Sequence, residues 1–251
     1  MRDWRFLLDP PASGVRHMAA DEALLESVRA GLAPPTLRLY CWDRPTVSLG
    51  RTQAVERAGR RHLPALPEAW PVVVRPTGGR ALLHGAGDLT YAVAIPDDAG
   101  FPADVRGMYC SIARWLSRAL ARVGLEGSLQ QGSTAPGPHF DCLAVATEAD
   151  LVVRGMKRVA SAQLRRPGGT LQHGAVWLDS DPVMLESLLS GSRLPPGLPG
   201  PGHERLTAVG EALVIAAREL WGVSISPGAW QDHELATVEH LVRQVPSSGG
   251  A

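Results

Sequence analysis

The chain has 251 residues, which is long enough for one large domain, and its 25 basic residues balance its 25 acidic residues. The resulting formal net charge of zero lacks the basic excess of a nucleic-acid-binding protein, so no nucleic-acid partner is expected. Three widely separated cysteines argue against a disulfide framework or a zinc knuckle, and the lack of a membrane-length apolar run or a signal-peptide core predicts a cytoplasmic protein without a membrane partner.

Hydrophobic periodicity predicts helices and strands that do not alternate strictly along the chain. We expect strands at residues 36–41, 46–49, 72–74, 80–84, 88–95, 150–153, 158–163 and 170–178. We expect helices at residues 18–32, 103–123, 182–189, 206–220 and 232–242. This pattern predicts an α+β or mixed-sheet α/β class rather than a doubly wound parallel fold.

The first predicted helix is amphipathic, with Met18, Leu25, Val28 and Leu32 on one apolar stripe. Asp21 would then lie in its first turn, where an acidic side chain favours the helix dipole.

The connections predict a single domain over residues 1–246 and a disordered tail at 247–251. Residues 57–67 have the pattern of an exposed irregular connection. The Gly- and Pro-rich segment 191–202 resembles a linker, and we expect His203 and Glu204 to lie with it.

The stretch 71–96 (PVVVRPTGGRALLHGAGDLTYAVAIP) predicts three short strands joined by two glycine-containing loops. A glycine pair lets a backbone approach a ligand closely, and Arg75, Arg80, His84 and Asp88 stand beside these loops. An ordinary hairpin with glycine turns explains the same pattern.

Lys157 is the only lysine among the 25 basic residues. Arginine is a permanently charged planar fork, whereas lysine is a compact charge that titrates readily. Cys142 lies in a loop pattern after His139 and Asp141, and a reactive thiol needs a nearby cation. A turn at Gly155 would let Lys157 face Cys142, although a chance lysine and a loop cysteine without function fit the same spacing.

Other motifs of catalytic chemistry are missing from the sequence. Cys41 and Cys110 lie in strand and helix patterns, as expected of small core residues. The HGAG segment at 84–87 lacks the third glycine of a dinucleotide site. No HExxH, GxSxG or GxxxxGK[ST] motif occurs, so neither a metal site nor a phosphate loop is predicted.

Four ordered groups of motifs resemble the lipoate–protein ligase/octanoyltransferase family. They are MAADEA at 18–23, TLRLYCW at 36–42 with PTVSLG at 45–50, RPTGGRALLH at 75–84 with DLTY at 88–91, and KRVASAQ at 157–163 with LQHG at 171–174. The resemblance implies a biotin/lipoyl protein ligase-like catalytic domain with a central mixed β-sheet flanked by helices.

The resemblance also implies the residues of the site. Cys142 and Lys157 would be catalytic, and no metal is implied. The implied substrate-binding residues are Arg75, Thr77, Gly78, Gly79, Arg80, His84, Ser161, Ala162, Gln172, His173 and Gly174.

Within the family, the chain resembles the cysteine-dependent octanoyltransferase branch, because Cys142 precedes Lys157 by fifteen positions and Arg80 follows the glycine pair. The chain departs from the usual pattern of this family: Gly85 stands where the family often has aspartate, and Leu143 stands where it often has phenylalanine. The branch implies a Cys142 thioester that carries octanoyl from octanoyl acyl carrier protein to a lysine of a lipoyl domain or glycine-cleavage H-type protein, without a cofactor.

Three alternatives stay open at this point. An ATP-dependent lipoate–protein ligase would use ATP and magnesium, with Lys157 contacting an acyl-adenylate. A lipoyl-domain octanoyl amidotransferase would use the same cysteine with a different donor. A non-catalytic acyl- or lipoyl-domain-binding module would share the fold alone.

Overall fold

The computed structural model describes residues 3–56, 70–129, 150–178, 197–200 and 202–245. Within these residues the chain forms an eight-stranded sheet and a three-stranded sheet, with helices around them. The elements in chain order are β1 (Asp3–Leu8), α1 (Gly14–Arg29), β2 (Thr36–Tyr40), β3 (Thr46–Leu49), α2 (Arg51–Glu56), β4 (Val72–Val74), β5 (Leu82–His84), β6 (Leu89–Pro96), α3 (Val105–Arg122), β7 (Ser128–Leu129), β8 (Leu151–Val153), β9 (Met156–Arg166), β10 (Gly169–Val176), α4 (Gly202–Trp221), β11 (Ser224–Pro227) and α5 (Asp232–Gln244).

The larger sheet is mixed, and its strands lie in the order β11-β1-β2-β6-β10-β9-β8-β7. The strands β11, β1 and β2 run parallel, and every neighbouring pair from β2 to β7 is antiparallel. In the smaller sheet β3 is parallel to β4 and antiparallel to β5. The predicted mixed-sheet α/β class is therefore confirmed.

The two faces of the larger sheet pack against different elements. Alternation along β6 directs Leu89, Tyr91, Val93 and Ile95 into the core beneath α3 and α4, as the sequence pattern predicted. Trp115 of α3 packs edge-on against Tyr91 in this layer. On the other face α1 packs against β6 and β10, and α5 packs on α1. Helix α1 also contacts β4 of the smaller sheet. Each large apolar side chain buried in these layers contributes about 2 kcal/mol.

The first helix begins earlier than the apolar pattern predicted. It begins at Gly14, and the side chain of Ser13 caps it by accepting a hydrogen bond from the Arg16 N–H. Asp21 therefore lies in the middle of the helix rather than in its first turn, and it is fully buried. Leu32 follows the helix and is 60% exposed, so its place on the buried stripe was wrong.

Several short elements carry too few residues for a periodic signal and were not predicted. These are β1, α2, β7 and β11. The linker prediction was wrong at its end, because Gly202 begins α4 and Glu204 lies in the first turn of that helix. The expected helix at 182–189, the connection at 57–67 and the tail at 247–251 lie outside the described residues.

Among the helices of the described ranges, none has the combined length and apolar character needed to span a membrane.

Candidate active site

The loop between β4 and β5 is built around the guanidinium of Arg75. Arg75 Nη1 donates to the carbonyl oxygen and the hydroxyl of Ser48, at 2.7 and 2.8 Å. Its Nη2 donates to the carbonyl oxygens of Gly78, at 3.0 Å, and Arg80, at 2.8 Å. These four bonds attach the loop to β3 and fix the direction of two of its peptide groups.

Backbone conformation requires a glycine at position 79, and close packing requires one at position 50. Gly79 has a φ of +96°, which L side chains rarely adopt. A Cβ on Gly50 would lie 1.9 Å from the Gly79 carbonyl oxygen, so β3 and the loop approach each other as closely as two backbones allow. The Thr77 carbonyl oxygen accepts from the Arg51 N–H at 2.9 Å. Within the described part of the chain, no group accepts a hydrogen bond from the N–H of Gly78 or Gly79.

Asp21 is the centre of a buried polar network on the α1 side of the sheet. Its Oδ1 accepts from Arg38 Nη1 at 2.5 Å, and its Oδ2 accepts from Tyr40 OH at 2.9 Å. His173 Nδ1 lies 2.7 Å from the same Oδ2, and His173 Nε2 lies 2.8 Å from the hydroxyl oxygen of Thr77. We call these five residues the Asp21 network.

The electrostatics of the network keep its carboxylate ionised. Burial alone would raise the pKa of Asp21, but the Arg38 guanidinium and the His173 contact outweigh it and lower the pKa below its usual range. Burial and the Asp21 carboxylate raise the pKa of Tyr40 well above its usual range. Arg38 Nε also donates to Asp9 at 2.8 Å, which adds a second carboxylate to the same cation.

His84 forms a further wall of the site. Its ring stacks on Trp42 with centroids 4.0 Å apart, and its Nε2 lies 2.7 Å from the Ser48 hydroxyl oxygen. Burial and the nearby Arg75 guanidinium hold its pKa well below its usual range, so the ring is neutral at physiological pH.

A small cavity of about 30 Å³ lies between these walls. It brings together eight of the predicted site residues, namely Arg75, Gly79, Arg80, His84, Ser161, Ala162, His173 and Gly174. Met18 and Leu82 close it on the apolar side. Its volume suits a water-sized group, so an acyl chain that enters here must displace these two flexible side chains.

Gln172, which does not line the cavity, and Ser161, which does, have their side-chain hydrogen bonds on the α3 side of the sheet. Ser161 Oγ lies 2.6 Å from Tyr91 OH, and Gln172 accepts from Gln163 at 3.0 Å. Gly174 lies between Tyr91 and Ser161, where a Cβ would lie 2.8 Å from the tyrosine ring. These contacts explain a glycine at 174 by packing, without a ligand.

Lys157 is buried on β9 and forms an ion pair with Asp150, with Nζ 2.9 Å from Oδ2. The two residues come from one hairpin, and its turn is at Gly155 as predicted. The register of β8 and β9 shifts between the pairs Val152–Lys157 and Leu151–Val159, and Lys157 does not line the small cavity. Cys142 lies outside the described residues, so its predicted contact with Lys157 stays a prediction.

Sequence reasoning missed Asp21, Tyr40, Ser48 and Asp150 as parts of the site. Asp21 had a signal, because it stands three residues after Met18 on the apolar stripe of its helix. A charged residue at such a position needs buried partners. Asp150 was harder to identify as part of the site, since acidic residues before a strand are common.

Another cavity of about 1000 Å³ opens between β1, β2 and α4. Its apolar lining includes Phe6, Leu39 and Val214, and it contains none of the predicted site residues. Within the described ranges, no group of three or more histidine, cysteine or acidic side chains is placed to hold a metal ion.

Comparison with known proteins identifies the family of this chain. Residues 13–197 match the family described as lipoyl protein ligase A/B catalytic domain. The chain belongs to this family.

Relatives that share the family also share most of their length with the chain. The octanoyltransferase LipM of Symbiobacterium thermophilum is 37% identical, over 89% of this chain and 81% of the relative. The octanoyltransferase LipM of Kyrpidia tusciae is 36% identical, over 90% of this chain and 82% of the relative.

Solved structures share the fold at lower identity. Protein Ta0514 of T. acidophilum, solved with bound lipoic acid, has a TM-score of 0.81 at 22% identity, covering 96% of this chain and 95% of that one. A lipoate-protein ligase A bound with ATP has a TM-score of 0.72 at 21% identity, with the same shares covered. These likenesses confirm the ligase-like catalytic fold that the motifs implied.

Proposed function

We propose that this protein is an octanoyltransferase that moves an octanoyl group from acyl carrier protein to a lysine of a lipoyl-domain protein, through a thioester on Cys142. The observation that carries the proposal is the identity of more than a third to proteins named octanoyltransferase over most of both chains. The cysteine and lysine of the predicted dyad stand at the spacing of that branch.

The chemistry needs no oxidant and no nucleotide. The Cys142 thiolate attacks the carbonyl carbon of the carrier thioester, and the carrier thiolate leaves and takes up a proton. The neutral amine of the acceptor lysine then attacks the octanoyl-cysteine, the Cys142 thiolate leaves, and the amine loses a proton to form the amide. The first exchange is nearly level in free energy and the amide is more stable than a thioester, so ATP is not required.

Lys157 would supply the cation that the thiolate needs. Its burial and its 2.9 Å contact with Asp150 hold the Lys157 ammonium in one place. A compact ammonium suits this role better than the planar guanidinium that the chain uses elsewhere.

The glycine loop would hold the oxyanion of each tetrahedral intermediate. Its carbonyl groups at Thr77, Gly78 and Arg80 are bound to Arg51 or Arg75, and the N–H groups of Gly78 and Gly79 have no acceptor within the described residues. Each donor placed on an oxyanion contributes about 3 kcal/mol to the transition state.

The acyl chain would enter between Met18 and Leu82. At about 0.8 kcal/mol for each buried methylene, the octanoyl chain supplies roughly 5 kcal/mol, which is enough to discriminate chain length. No cofactor is part of this proposal.

The donor requirement tests the proposal. The purified chain is incubated with a lipoyl domain and either octanoyl carrier protein alone, or free octanoate or lipoate with ATP and magnesium. We expect an octanoyl amide on the acceptor lysine with the carrier protein alone.

Each alternative gives a different result. Product only in the presence of ATP would indicate a ligase, and product only from an octanoylated lipoyl domain would indicate an amidotransferase. Carrier binding without any transfer would indicate a non-catalytic module.

A further inference from the structure

Asp21 is a fully buried carboxylate that the proposed mechanism does not use. It comes from α1, whereas its donors Arg38 and Tyr40 come from β2 and His173 comes from β10. A buried carboxylate with three donors from two strands is held in a fixed position, because each donor restricts a different direction.

The carboxylate fixes the orientation of His173. An ionised Asp21 can only accept hydrogen bonds, so the Nδ1 of His173, 2.7 Å away, carries a proton. In the neutral imidazole the Nε2 is then an acceptor, and the Thr77 hydroxyl at 2.8 Å donates to it. The orientation of the Thr77 hydroxyl therefore depends on Asp21, and His173 connects the two residues.

Thr77 connects the hydrogen bonds of Asp21 and His173 to the glycine loop. Its carbonyl oxygen is bound to the Arg51 N–H, and the next carbonyl, of Gly78, is bound to Arg75. The loop is thus held by Arg75 and Arg51 on one side and by His173 on the other.

We propose that Asp21 is a positioning residue for acyl transfer, which acts through His173 and Thr77 to place the N–H groups of Gly78 and Gly79 at the acyl carbonyl. This inference rests on the proposed function, since it names the residue that orients the oxyanion donors of that reaction. Glu22, the next residue on α1, forms an ion pair with Arg166 on the outer side of the helix and has no such path to the loop.

The substitution Asp21→Asn tests the path, because it changes one atom type and no volume. Arg38 and the protonated Nδ1 of His173 both donate hydrogen bonds to Asp21. In the asparagine variant the amide nitrogen is itself a donor, so it faces one of these donors and cannot accept its hydrogen bond. His173 then has to change tautomer, and its Nε2–H faces the Thr77 hydroxyl in place of a lone pair.

The experiment is a double-mutant cycle on the rate at which octanoyl carrier protein acylates Cys142, followed by intact mass. We expect Asp21→Asn and Thr77→Val each to slow acylation by about tenfold or more, and the double variant to be no slower than the slower single variant. Thr77→Ser restores the hydroxyl and should recover most of the rate that Thr77→Val loses, whereas Glu22→Gln, outside this path, should keep the parent rate.

A second readout separates positioning from general damage. Alkylation of Cys142 by iodoacetamide needs the thiolate but no oxyanion donor, so its rate should change less than about twofold in Asp21→Asn. If Asp21→Asn does not fold, His173→Gln with Thr77→Val tests the same path while leaving Arg38 paired with Asp21.

Multiplicative effects in the cycle would overturn the inference, and so would a loss of alkylation equal to the loss of acylation. A parent protein that forms no octanoyl adduct would instead reject the proposed function, and this inference with it. An active parent with independent effects rejects the positioning role alone.

Discussion

The Asp21 network and the Lys157–Asp150 pair are both buried and ionic, but they are assembled in opposite ways. Asp21 is held by partners from β2 and β10, and His173 is 152 residues away from it along the chain. Lys157 and Asp150 are neighbours in a single hairpin. The first cluster exists only when helix and sheet have come together, whereas the second needs only a local turn.

This difference predicts a division of roles. A network built from distant elements supports the fold and the loop that it touches, so its loss should damage stability and positioning together. A local pair can be changed while most of the fold stays in place, so its loss should mainly lower the rate of acyl transfer. Three measurements test this comparison.

The largest effect is expected from Lys157→Arg. The variant keeps a positive charge but replaces a compact amine, 4% exposed, with a planar fork that the buried hairpin has no room to orient. We expect transfer to fall by about 1000-fold, equivalent to about 4 kcal/mol in the transition state, in a steady-state assay with octanoyl carrier protein.

Arg166→Lys is the matched control, because it exchanges the same two residue types in partly exposed pairs with Glu22 and Glu26. It should transfer octanoyl at the parent rate. Near-normal turnover in Lys157→Arg would reject the role given to this amine.

Arg38→Met should give the next largest effect, on stability. The variant leaves the fully buried carboxylate of Asp21 without its cation, which costs about 3 to 4 kcal/mol of unfolding free energy. Urea unfolding at neutral pH measures this loss.

Arg16→Met removes an arginine whose ion pair with Glu239 is about half exposed, and should cost less than about 1 kcal/mol. Equal losses in the two variants would mean that the Asp21 network does not support the fold.

Acid should weaken the fold through His17, which contacts Arg38. Burial and the Arg38 guanidinium lower the pKa of His17 from 6.5 to about 4. The unfolded chain therefore binds a proton more readily than the folded chain between these values, so stability falls as the pH decreases through this window. We expect a loss of about 2 kcal/mol between pH 7 and pH 5 from this residue alone.

The comparison of the parent with His17→Gln isolates this contribution. Glutamine does not titrate, so the variant should lose less stability between pH 7 and pH 5. His84, whose pKa is also lowered, adds to the loss in both proteins. Asp21 and Glu234 have lowered pKa values, so they reduce the stability only at more acidic pH, from about their ordinary values of 3.8 and 4.5 downwards. Parallel pH profiles would contradict the assignment.

The parts of the fold that could be predicted from sequence are those with a strong hydrophobic periodicity or a clear turn signal. Strand β6 and helix α3 carry apolar residues at the spacing of a strand and of a helix, and both formed with small shifts at their ends. The hairpin at Gly155 was predicted for the same local reason. Short elements such as β7 and β11 are held by neighbouring strands rather than by their own pattern, so sequence did not show them.

The candidate site divides in the same way. The glycine loop, His84 and His173 were identified from motifs, and the structure brings them to one cavity. The link from His173 to Asp21 was not predicted, because the pattern placed Asp21 in the first turn of its helix and gave no information on contacts 152 residues apart. The role of Arg75 as a support for the loop was likewise set by tertiary contacts with Ser48 and the loop carbonyls.

The proposed acyl transfer depends most on Cys142 carrying the octanoyl group. The direct measurement is the intact mass of the protein after incubation with octanoyl carrier protein without ATP, followed by peptide mapping. Cys41→Ala and Cys110→Ala are the controls, and burial already raises the pKa of the Cys41 thiol to about 11.

We expect a mass increase of one octanoyl group on Cys142 in the parent and in both controls, and none in Cys142→Ala. An adduct that persists in Cys142→Ala, or a parent that transfers octanoyl without ever carrying it, would contradict the account.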